Sequence, residues 1–371
     1  MNPAFKLAAK FALYLVCIYS IVFMVMHQDD GSSRVKRTVN LEEEPLASEC
    51  FPRNTSRPRS EEGIHRPNQL YYEYLISKEP EVFVEKAPEI DPNTKVIIVA
   101  LSKNTDYQAR SDVRESWANS DNPYIKNKSA TVIFLTGDDK EDIGCLNNEF
   151  DAHGDLLVAK ALDSYRGLVY KLVIAFRYLS KNYPQAHIMK IDLDCILDVT
   201  GLMGLLDQQK DPDFIYGYLF YSSRPIRDPI HQWYVPEYAF RGRLYPWYVN
   251  GNVYIISGKS MQNLLTALRG THVIEIEDLF FTGILREKVN GKIDHMPGYR
   301  FGVPDYMHCP DEEGRRIIVH GMARDRIVER YNEFMNWKRW DCSNDPKPST
   351  KAEETATDKL PEPVGKRNNR L

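Results

Sequence analysis

The sequence predicts an α/β protein with a mainly parallel sheet flanked by helices. Short apolar runs rich in β-branched residues occur at 95–102 (KVIIVALS) and 130–137 (ATVIFLTG), as is typical of buried parallel strands. Segments with helical periodicity separate such runs, the clearest being 164–183 (SYRGLVYKLVIAFRYLSKNY). Strands that alternate with helices of this length indicate βαβ units.

The predicted elements follow in a regular order. The helix at 164–183 places five apolar side chains on one face, and each later apolar run again follows a helical segment. In chain order we predict strands at 95–102 and 130–137, a helix at 141–153, a strand at 155–160, a helix at 164–183, a strand at 187–192, a helix at 199–209 and a strand at 214–220.

Composition sets limits on function. The chain has 371 residues, of which 43% are hydrophobic and 27% charged, so it can bury one large core or two small ones. Its formal net charge is −4. A nucleic-acid-binding domain normally presents a basic face, so we expect no nucleic-acid partner.

The N-terminus predicts a membrane anchor. Residues 11–26 (FALYLVCIYSIVFMVM) carry no charge and are preceded by Lys6 and Lys10. The positive-inside rule then predicts a cytoplasmic tail at 1–10 and a single-pass type II protein whose remaining chain is lumenal. A cleaved signal peptide is the alternative, although HQDDGSS (27–33) offers no A-x-A-like cleavage site.

Three further regions are predicted beyond the anchor. Residues 27–90 are rich in Pro, Ser and charge and are interpreted as a flexible stem, 91–342 as the folded domain, and 343–371 as a disordered polar tail. Five cysteines follow the anchor, so at least one thiol is free or pairs between two chains, which would form a homodimer. Within the stem, an aromatic patch is expected to dock on the domain: Tyr71, Tyr72, Tyr74 and Leu75.

Two acids end the predicted strand at 187–192. Asp192 and Asp194 are two positions apart, so in an extended chain both side chains project to the same side. Two close carboxylates repel unless a cation lies between them, and Mg²⁺ and Mn²⁺ accept carboxylate and phosphate oxygens together. The pattern predicts a metal-bridged diphosphate site, with a solvated D-x-D loop as the alternative.

Five blocks in the order of the chain carry a family resemblance. They are ARSDVRESWAN (109–119), DSYRGLVYK (163–171), KIDLD (190–194), YPWYVNGNVYIIS (245–257) and EIEDLFFTGIL (275–285). These blocks resemble the motifs of the β-1,3-glycosyltransferases, which include β-1,3-galactosyltransferases and β-1,3-N-acetylglucosaminyltransferases. The resemblance runs from about residue 95 to residue 320.

The resemblance implies a GT-A fold and an inverting glycosyltransferase of the Golgi membrane. Such an enzyme moves a hexose or N-acetylhexosamine, galactose above all, from a UDP-sugar to a hydroxyl of a glycoprotein or glycolipid glycan and forms a β-1,3 linkage. It implies that Asp194 ligates Mn²⁺ or Mg²⁺, with Asp192 beside it on the metal or the nucleotide and His320 as a further ligand. It implies that Asp278 is the general base and that Glu277 orients a hydroxyl.

The same resemblance suggests donor-site roles for five more residues. Arg110 and Arg114 would contact the diphosphate or nucleotide, or position their loop, and the alternative is a solvated helix face. Asp163 and Lys171 would belong to the site or only cap and flank their helix. Gly251 would form a turn beside the donor sugar. Trp117, in the first block, is expected in the core.

Some positions depart from the family pattern. Leu193 replaces the middle acid of the family's D-D-D, and we expect its side chain to point into the core. Gly167 replaces a polar residue of the second block, whose role is then in doubt. Asn252 and Val253 replace small residues after the glycine of the fourth block and are expected to narrow the donor pocket.

A second class of function remains open. A catalytically silent relative would act as a lumenal chaperone or a glycan-binding protein. Retention of Asp192, Asp194 and Asp278 favours the enzyme, because a silent relative has no need of all three. A hydrolase with paired carboxylates has less support, since glycosidases do not require a D-x-D metal strand.

Overall fold

The structure is a computed structural model that describes residues 68–138, 143–299, 316–321 and 324–337. Two large hydrophobic clusters lie on the two faces of a central sheet. Alternate residues of its most apolar strand enter different clusters: Ile97 and Val99 pack on one face, and Val96 and Ile98 on the other. This alternation is expected of a strand that is buried on both sides.

The central sheet has eight strands in the order β1-β4-β3-β2-β5-β8-β7-β9. β1 and β8 run opposite to the other six strands, so the predicted mainly parallel arrangement is confirmed. The strands are β1 (Val84–Lys86), β2 (Val96–Leu101), β3 (Ala130–Gly137), β4 (Leu156–Ala159), β5 (His187–Asp192), β7 (Ile215–Phe220), β8 (Tyr248–Ile256) and β9 (Asp294–His295).

A second, two-stranded sheet lies beyond β5. β6 (Cys195–Leu197) pairs antiparallel with β10 (Ile318–His320), and Cys195 stands opposite His320 in the register. The last described helix packs against this pair, because Phe334 is fully buried together with Ile196. The small sheet brings a distant part of the chain next to the end of β5.

Helices cover both faces of the central sheet, as predicted. The longest corresponds to the predicted helix at 164–183 and buries most of its apolar side chains. The helices are α1 (Gln69–Ser77), α2 (Tyr107–Glu115), α3 (Pro123–Lys126), α4 (Ile143–His153), α5 (Leu168–Asn182), α6 (Val199–Gln208), α7 (Gly258–Thr266), α8 (Arg286–Lys288) and α9 (Ile327–Trp337), with a π-helical segment at Leu279–Leu285 before α8.

The stem prediction is wrong at its C-terminal end. Residues 68–90 contain α1 and β1, and β1 pairs with β4 of the central sheet. Tyr72 and Leu75 are fully buried, and the Tyr72 hydroxyl donates to the carbonyl of Leu268 at 2.7 Å. The predicted docking of the aromatic patch is therefore confirmed, and the folded domain begins before residue 91 because this patch belongs to its core.

Other predictions lie outside the described residues: the anchor at 11–26, most of the stem and the tail at 343–371. Within the described ranges, no helix combines the length and the apolar character needed to span a bilayer. Cys195 is a free, buried thiol and Cys145 is disulfide-bonded.

Candidate active site

The candidate site lies where β5 ends and β8 begins its return across the sheet. β5 ends at Asp192, and Asp194 lies in the turn between β5 and β6. The sequence suggested that the two acids lie in one extended segment. The structure differs, because the strand ends at the first acid. Leu193 between them is 1% exposed and packs in the hydrophobic core, which confirms the prediction for this departure from the family pattern.

Lys190 is the centre of a buried polar network. Its ammonium group donates to Asp192 Oδ1 at 2.7 Å and to the carbonyl of Gly251, and lies 3.2 Å from Glu277 Oε1. Burial alone would lower the pKa of Lys190, but the two carboxylates outweigh it and raise this pKa. Lys190 thus remains charged and connects the end of β5 to β8 and to Glu277, just before the π-helical segment.

Glu277 is buried and has two partners. Besides Lys190, the hydroxyl of Tyr254 donates to Glu277 Oε2 at 2.8 Å. Burial raises the pKa of Glu277, against the opposing effect of Lys190. Both oxygens therefore have fixed partners inside the protein, which holds this side chain in one orientation.

Asp278 has the environment of a base that works near neutral pH. Burial, and then the neighbouring charge of Glu277, raise its pKa to about 7. The backbone N–H of Leu279 donates to Asp278 Oδ1 at 2.7 Å, which anchors the carboxylate at the start of the π-helical segment. A carboxylate with this pKa is partly ionised at neutral pH and can accept a proton from a hydroxyl group.

Gly251 provides the space for both acids. A β-carbon at this position would lie 3.0 Å from Asp278 Oδ2 and 3.1 Å from Glu277 Oε1. The absence of a side chain lets the two carboxylates approach the β8 backbone. The glycine predicted to lie beside the donor sugar is thus also a structural requirement of the acidic pair.

Asp194 and His320 come together through the β6–β10 pairing. Asp194 Oδ2 lies 3.8 Å from His320 Nε2, and the side-chain amide of Asn252 lies 2.6 Å from the same nitrogen. Asn252, a departure from the family pattern, therefore contacts the predicted metal ligand, whereas Val253 is buried in the core.

The predicted set of three metal ligands is not assembled. Asp192 binds Lys190, and among the described residues no group of three or more His, Cys, Asp and Glu side chains could hold a metal ion. A carboxylate oxygen and an imidazole nitrogen 3.8 Å apart still form a suitable pair of donors for Mn²⁺. His320 Nε2 would have to exchange its contact with Asn252 for the ion, and Asp192 its contact with Lys190, so Asp194 and His320 are the nearest fit to a divalent cation and not a preformed site.

The two arginines of the first block hold the fold together. Arg110 is fully buried, its guanidinium pairs with Glu149, and Nη2 donates to the carbonyl of Asn104 at 3.0 Å. Arg114 lies 2.7 Å from Glu149 and 2.8 Å from Asp155. This geometry does not support a direct nucleotide contact by Arg110. It supports the other role expected, which is to position the loop after β2.

Asp163 and Lys171 form a buried ion pair behind the carboxyl ends of the strands. Lys171 also donates to the carbonyl of Ser102 at 3.0 Å. The N–H groups of Gly137 and Asn104 donate to the Asp163 carboxylate at 2.8 and 2.7 Å. The pair therefore connects the loops that follow β2 and β3. Fully buried Trp117 lies in the core as expected.

Two members of the site, Lys190 and Tyr254, were not predicted from the sequence. A lysine in the middle of the apolar strand HIMKID was the available signal, since a buried lysine needs a partner. Tyr254 stands in the fourth block but resembles an ordinary strand residue. Tyr165, in the second block, also belongs to the surroundings of the two acids. Burial is the main cause that raises the pKa of its phenol, and the charges of Asp278 and Glu277 add to this rise.

The chain thus combines a sheet covered by helices on both faces with an acidic site at the strand ends, and a family match accompanies this arrangement. A model of the galactosyltransferase family matches residues 108–297, just over half of the 371 residues. The chain belongs to this family, which makes it a glycosyltransferase, and the predicted β-1,3-glycosyltransferase family is confirmed.

Two relatives illustrate the similarity. Human β-1,3-galactosyltransferase 5 is 25% identical over 252 residues, which cover 67% of this chain and 80% of the relative. Mouse β-1,3-galactosyltransferase 1 is 23% identical over 270 residues, which cover 71% and 81% of the two chains.

Solved structures show a weaker similarity. The galactosyltransferase LgtC, crystallised with donor and acceptor sugar analogues, is 12% identical, with a TM-score of 0.34 and coverage of 65% of this chain and 95% of that chain. A mannosyltransferase from Pyrobaculum calidifontis, in complex with GDP-Man and Mn²⁺, is 13% identical, with a TM-score of 0.30 and coverage of 63% and 65%. Such scores are too low to define a fold.

Proposed function

We propose that this protein is an inverting β-1,3-glycosyltransferase of the GT-A type that uses a UDP-sugar, with galactose as the first candidate sugar. The acceptor is a hydroxyl of a glycan on protein or lipid. The observation that carries the proposal is Asp278, a carboxylate at the strand ends whose pKa is raised to about 7. Family membership supplies the class of reaction.

In this proposal Asp278 takes the proton from the attacking acceptor hydroxyl. The oxygen of that hydroxyl forms the new bond to the anomeric carbon while the bond from this carbon to UDP breaks. Positioned base catalysis of this kind contributes about 10²–10⁴-fold. Glu277 is fixed by Lys190 and Tyr254, so it stabilises the arrangement around Asp278 instead of accepting the proton itself.

We assign the cation to Asp194 and His320, whose donor atoms lie 3.8 Å apart. A Mn²⁺ or Mg²⁺ ion there would neutralise charge on the leaving diphosphate. Asp192, held by Lys190, lies beside Asp194, since the Asp194 charge contributes to raising its pKa after burial. We place Asp192 next to the nucleotide, not on the metal.

The cellular setting is part of the same proposal. An uncharged segment at 11–26 preceded by two lysines supports a single-pass type II protein of the Golgi membrane with its domain in the lumen. The odd number of cysteines beyond the anchor does not support the homodimer expected from the sequence, because Cys195 is a free, buried thiol and accounts for the odd one.

A donor screen tests the proposed function. The purified full-length protein is incubated with UDP-galactose, UDP-N-acetylglucosamine or UDP-N-acetylgalactosamine and Mn²⁺, and UDP release is measured with and without glycan acceptors. We expect turnover of one donor, and a loss of about 10²-fold or more in Asp278→Asn. No UDP release from any donor, or equal turnover by Asp278→Asn, would contradict the proposal.

A further inference from the structure

A basic cavity lies in the segment 221–247, which connects β7 to β8. Its volume is about 570 Å³. Four arginines and one acid are among the residues that line it: Arg224, Arg227, Arg241, Arg243 and Glu237. The charges sum to 4 − 1 = +3, although the whole chain carries −4. Positive charge is thus concentrated in one place on a chain with an acidic excess.

One of these arginines builds the cavity wall. The guanidinium of Arg227 donates to the carbonyls of Val235 and Phe240, both at 2.6 Å. A third donation reaches Gly242 at 3.4 Å. These bonds connect both sides of the segment and give the cavity a fixed frame. Arg227 is therefore structural, with three of its five N–H donors directed to backbone carbonyls.

The other three arginines are available to a ligand. Arg224, Arg241 and Arg243 are exposed, and none of them makes a hydrogen bond or ion pair with the part of the chain that the structure describes. Guanidinium groups match the planar geometry of carboxylate and phosphate oxygens and bind them through paired hydrogen bonds. A cavity with three such groups suits a carboxylate, a sulfate or a phosphate.

The cavity lies close to the proposed base. The segment leaves β7 and enters β8 at the edge of the sheet where β5 ends, and the N–H of Tyr245 donates to the carbonyl of Ser223 at 2.9 Å. The ring centroid of Tyr245 lies 5.0 Å from that of Phe240, whose carbonyl accepts from Arg227, and 6.2 Å from that of Tyr248 at the start of β8. Tyr248 in turn lies against Gly283 of the π-helical segment that Asp278 precedes, so a continuous set of contacts joins the cavity wall to this segment.

Exposed aromatic rings occur at both ends of the segment. Tyr221 and Trp247 are about half exposed, and their ring centroids are 5.1 Å apart. Aromatic rings of this kind offer an apolar surface together with a polar edge. They give the sugar units of a glycan an apolar surface to cover at the two ends of the segment that forms the cavity.

We propose that the cavity binds an acidic group on the acceptor glycan, so that glycans with a carboxylate, sulfate or phosphate are the preferred acceptors. Arg224, Arg241 and Arg243 hold this group, and the sugar that receives the transfer lies at Asp278. The inference rests on the proposed function, because it names the class of acceptor for that reaction.

The test compares acceptors that differ by one acidic group. Disaccharides ending in galactose, N-acetylglucosamine or N-acetylgalactosamine are each paired with the same disaccharide carrying one sulfate. With the full-length protein, kcat/KM should be higher for the sulfated member, and this preference should shrink in high salt, which screens the charges. In the double variant Arg241→Gln/Arg243→Gln the preference should fall about tenfold, as expected for lost charge-assisted hydrogen bonds.

The matched control is Arg269→Gln. Arg269 is exposed and lies outside the segment 221–247, so this variant should keep the wild-type preference. A wild type without preference for sulfated acceptors overturns the inference. So does a double variant in which the KM of the UDP-sugar rises instead, since the cavity would then bind the donor's phosphates.

Direct binding separates this inference from the proposed function. Calorimetric titration of the sulfated disaccharides, without a donor, should show binding that weakens about tenfold in the double variant. If no donor is turned over but this binding is seen, the transfer reaction fails and the anion site stands. If transfer occurs without sulfate-dependent binding, the anion site fails and the transfer reaction stands.

Discussion

Gly251 lies against Asp278 so closely that a β-carbon at position 251 would be 3.0 Å from Asp278 Oδ2. The same carbon would be 3.1 Å from Glu277 Oε1. The backbone N–H of Gly251 also hydrogen-bonds to Asp278 and helps to limit the rise in its pKa. The two carboxylates can therefore keep their positions only because residue 251 of β8 has no side chain.

Gly251→Ala should lower activity without unfolding the protein. The added methyl group must displace the two carboxylates by a few tenths of an ångström, and misplacement of catalytic groups by about 1 Å can cost roughly 10²-fold. We expect a loss of kcat of about tenfold or more, measured with the preferred donor. The control is Gly204→Ala in α6, where an added β-carbon meets nothing within 4 Å. Similar losses in both variants would contradict this explanation.

The pH profile should report Asp278. Its pKa is raised to about 7, and a base acts only when it is deprotonated, so kcat/KM should decline as the pH falls through about 7. Asp278→Asn should lose this acid limb together with most of the activity. An inflection near the ordinary pKa of an aspartate, about 4, would assign the limb to another group.

Metal binding should be visible as stabilisation of the folded protein. UDP together with Mn²⁺ should raise the thermal midpoint, since a ligand at 100 times its Kd adds about 2.7 kcal/mol. Asp194→Asn and His320→Gln should reduce the shift, whereas Asp151→Asn, which changes an exposed acid on α4, should retain it. No Mn²⁺-dependent shift in the wild type would favour the alternative of a catalytically silent chaperone or glycan-binding protein.

Arg110→Met should destabilise the fold and leave donor binding intact. It removes one of the two guanidinium partners of buried Glu149. Arg114, 2.7 Å from Glu149, still compensates the charge, so the lost hydrogen bonds to the carboxylate should cost about 1.5–3 kcal/mol in the free energy of unfolding. Denaturant titration measures this loss, and steady-state kinetics at low temperature measure the KM of the UDP-sugar. A large increase in the KM of the UDP-sugar at unchanged stability would instead indicate that Arg110 contacts the nucleotide directly. Arg269→Met, at an exposed position, is the matched control.

Much of the fold could be predicted from local pattern. The strands at β2, β3, β5 and β7 and helix α5 lie where apolar periodicity placed them, because each element buries its own apolar residues. The end of the stem could not be found in this way. The sequence indicated that a patch with Tyr72 and Leu75 docks on the domain, but the polar composition around it gave no sign that the segment belongs to the folded core. Its burial depends on partners such as Leu268 that are distant in sequence.

The site shows the same division. By itself the sequence determined the class of protein, the acids of the site, and the burial of Leu193, since these follow from local motifs and from the apolar character of the leucine between the two acids. Only the tertiary structure decided that Lys190 binds Asp192 and Glu277, that Arg110 is neutralised by Glu149, and that the β6–β10 pairing brings His320 to Asp194. The physical reason is that the role of a charged side chain depends on the groups that surround it in space. The sequence shows which residues are charged, but not which distant residues become their partners.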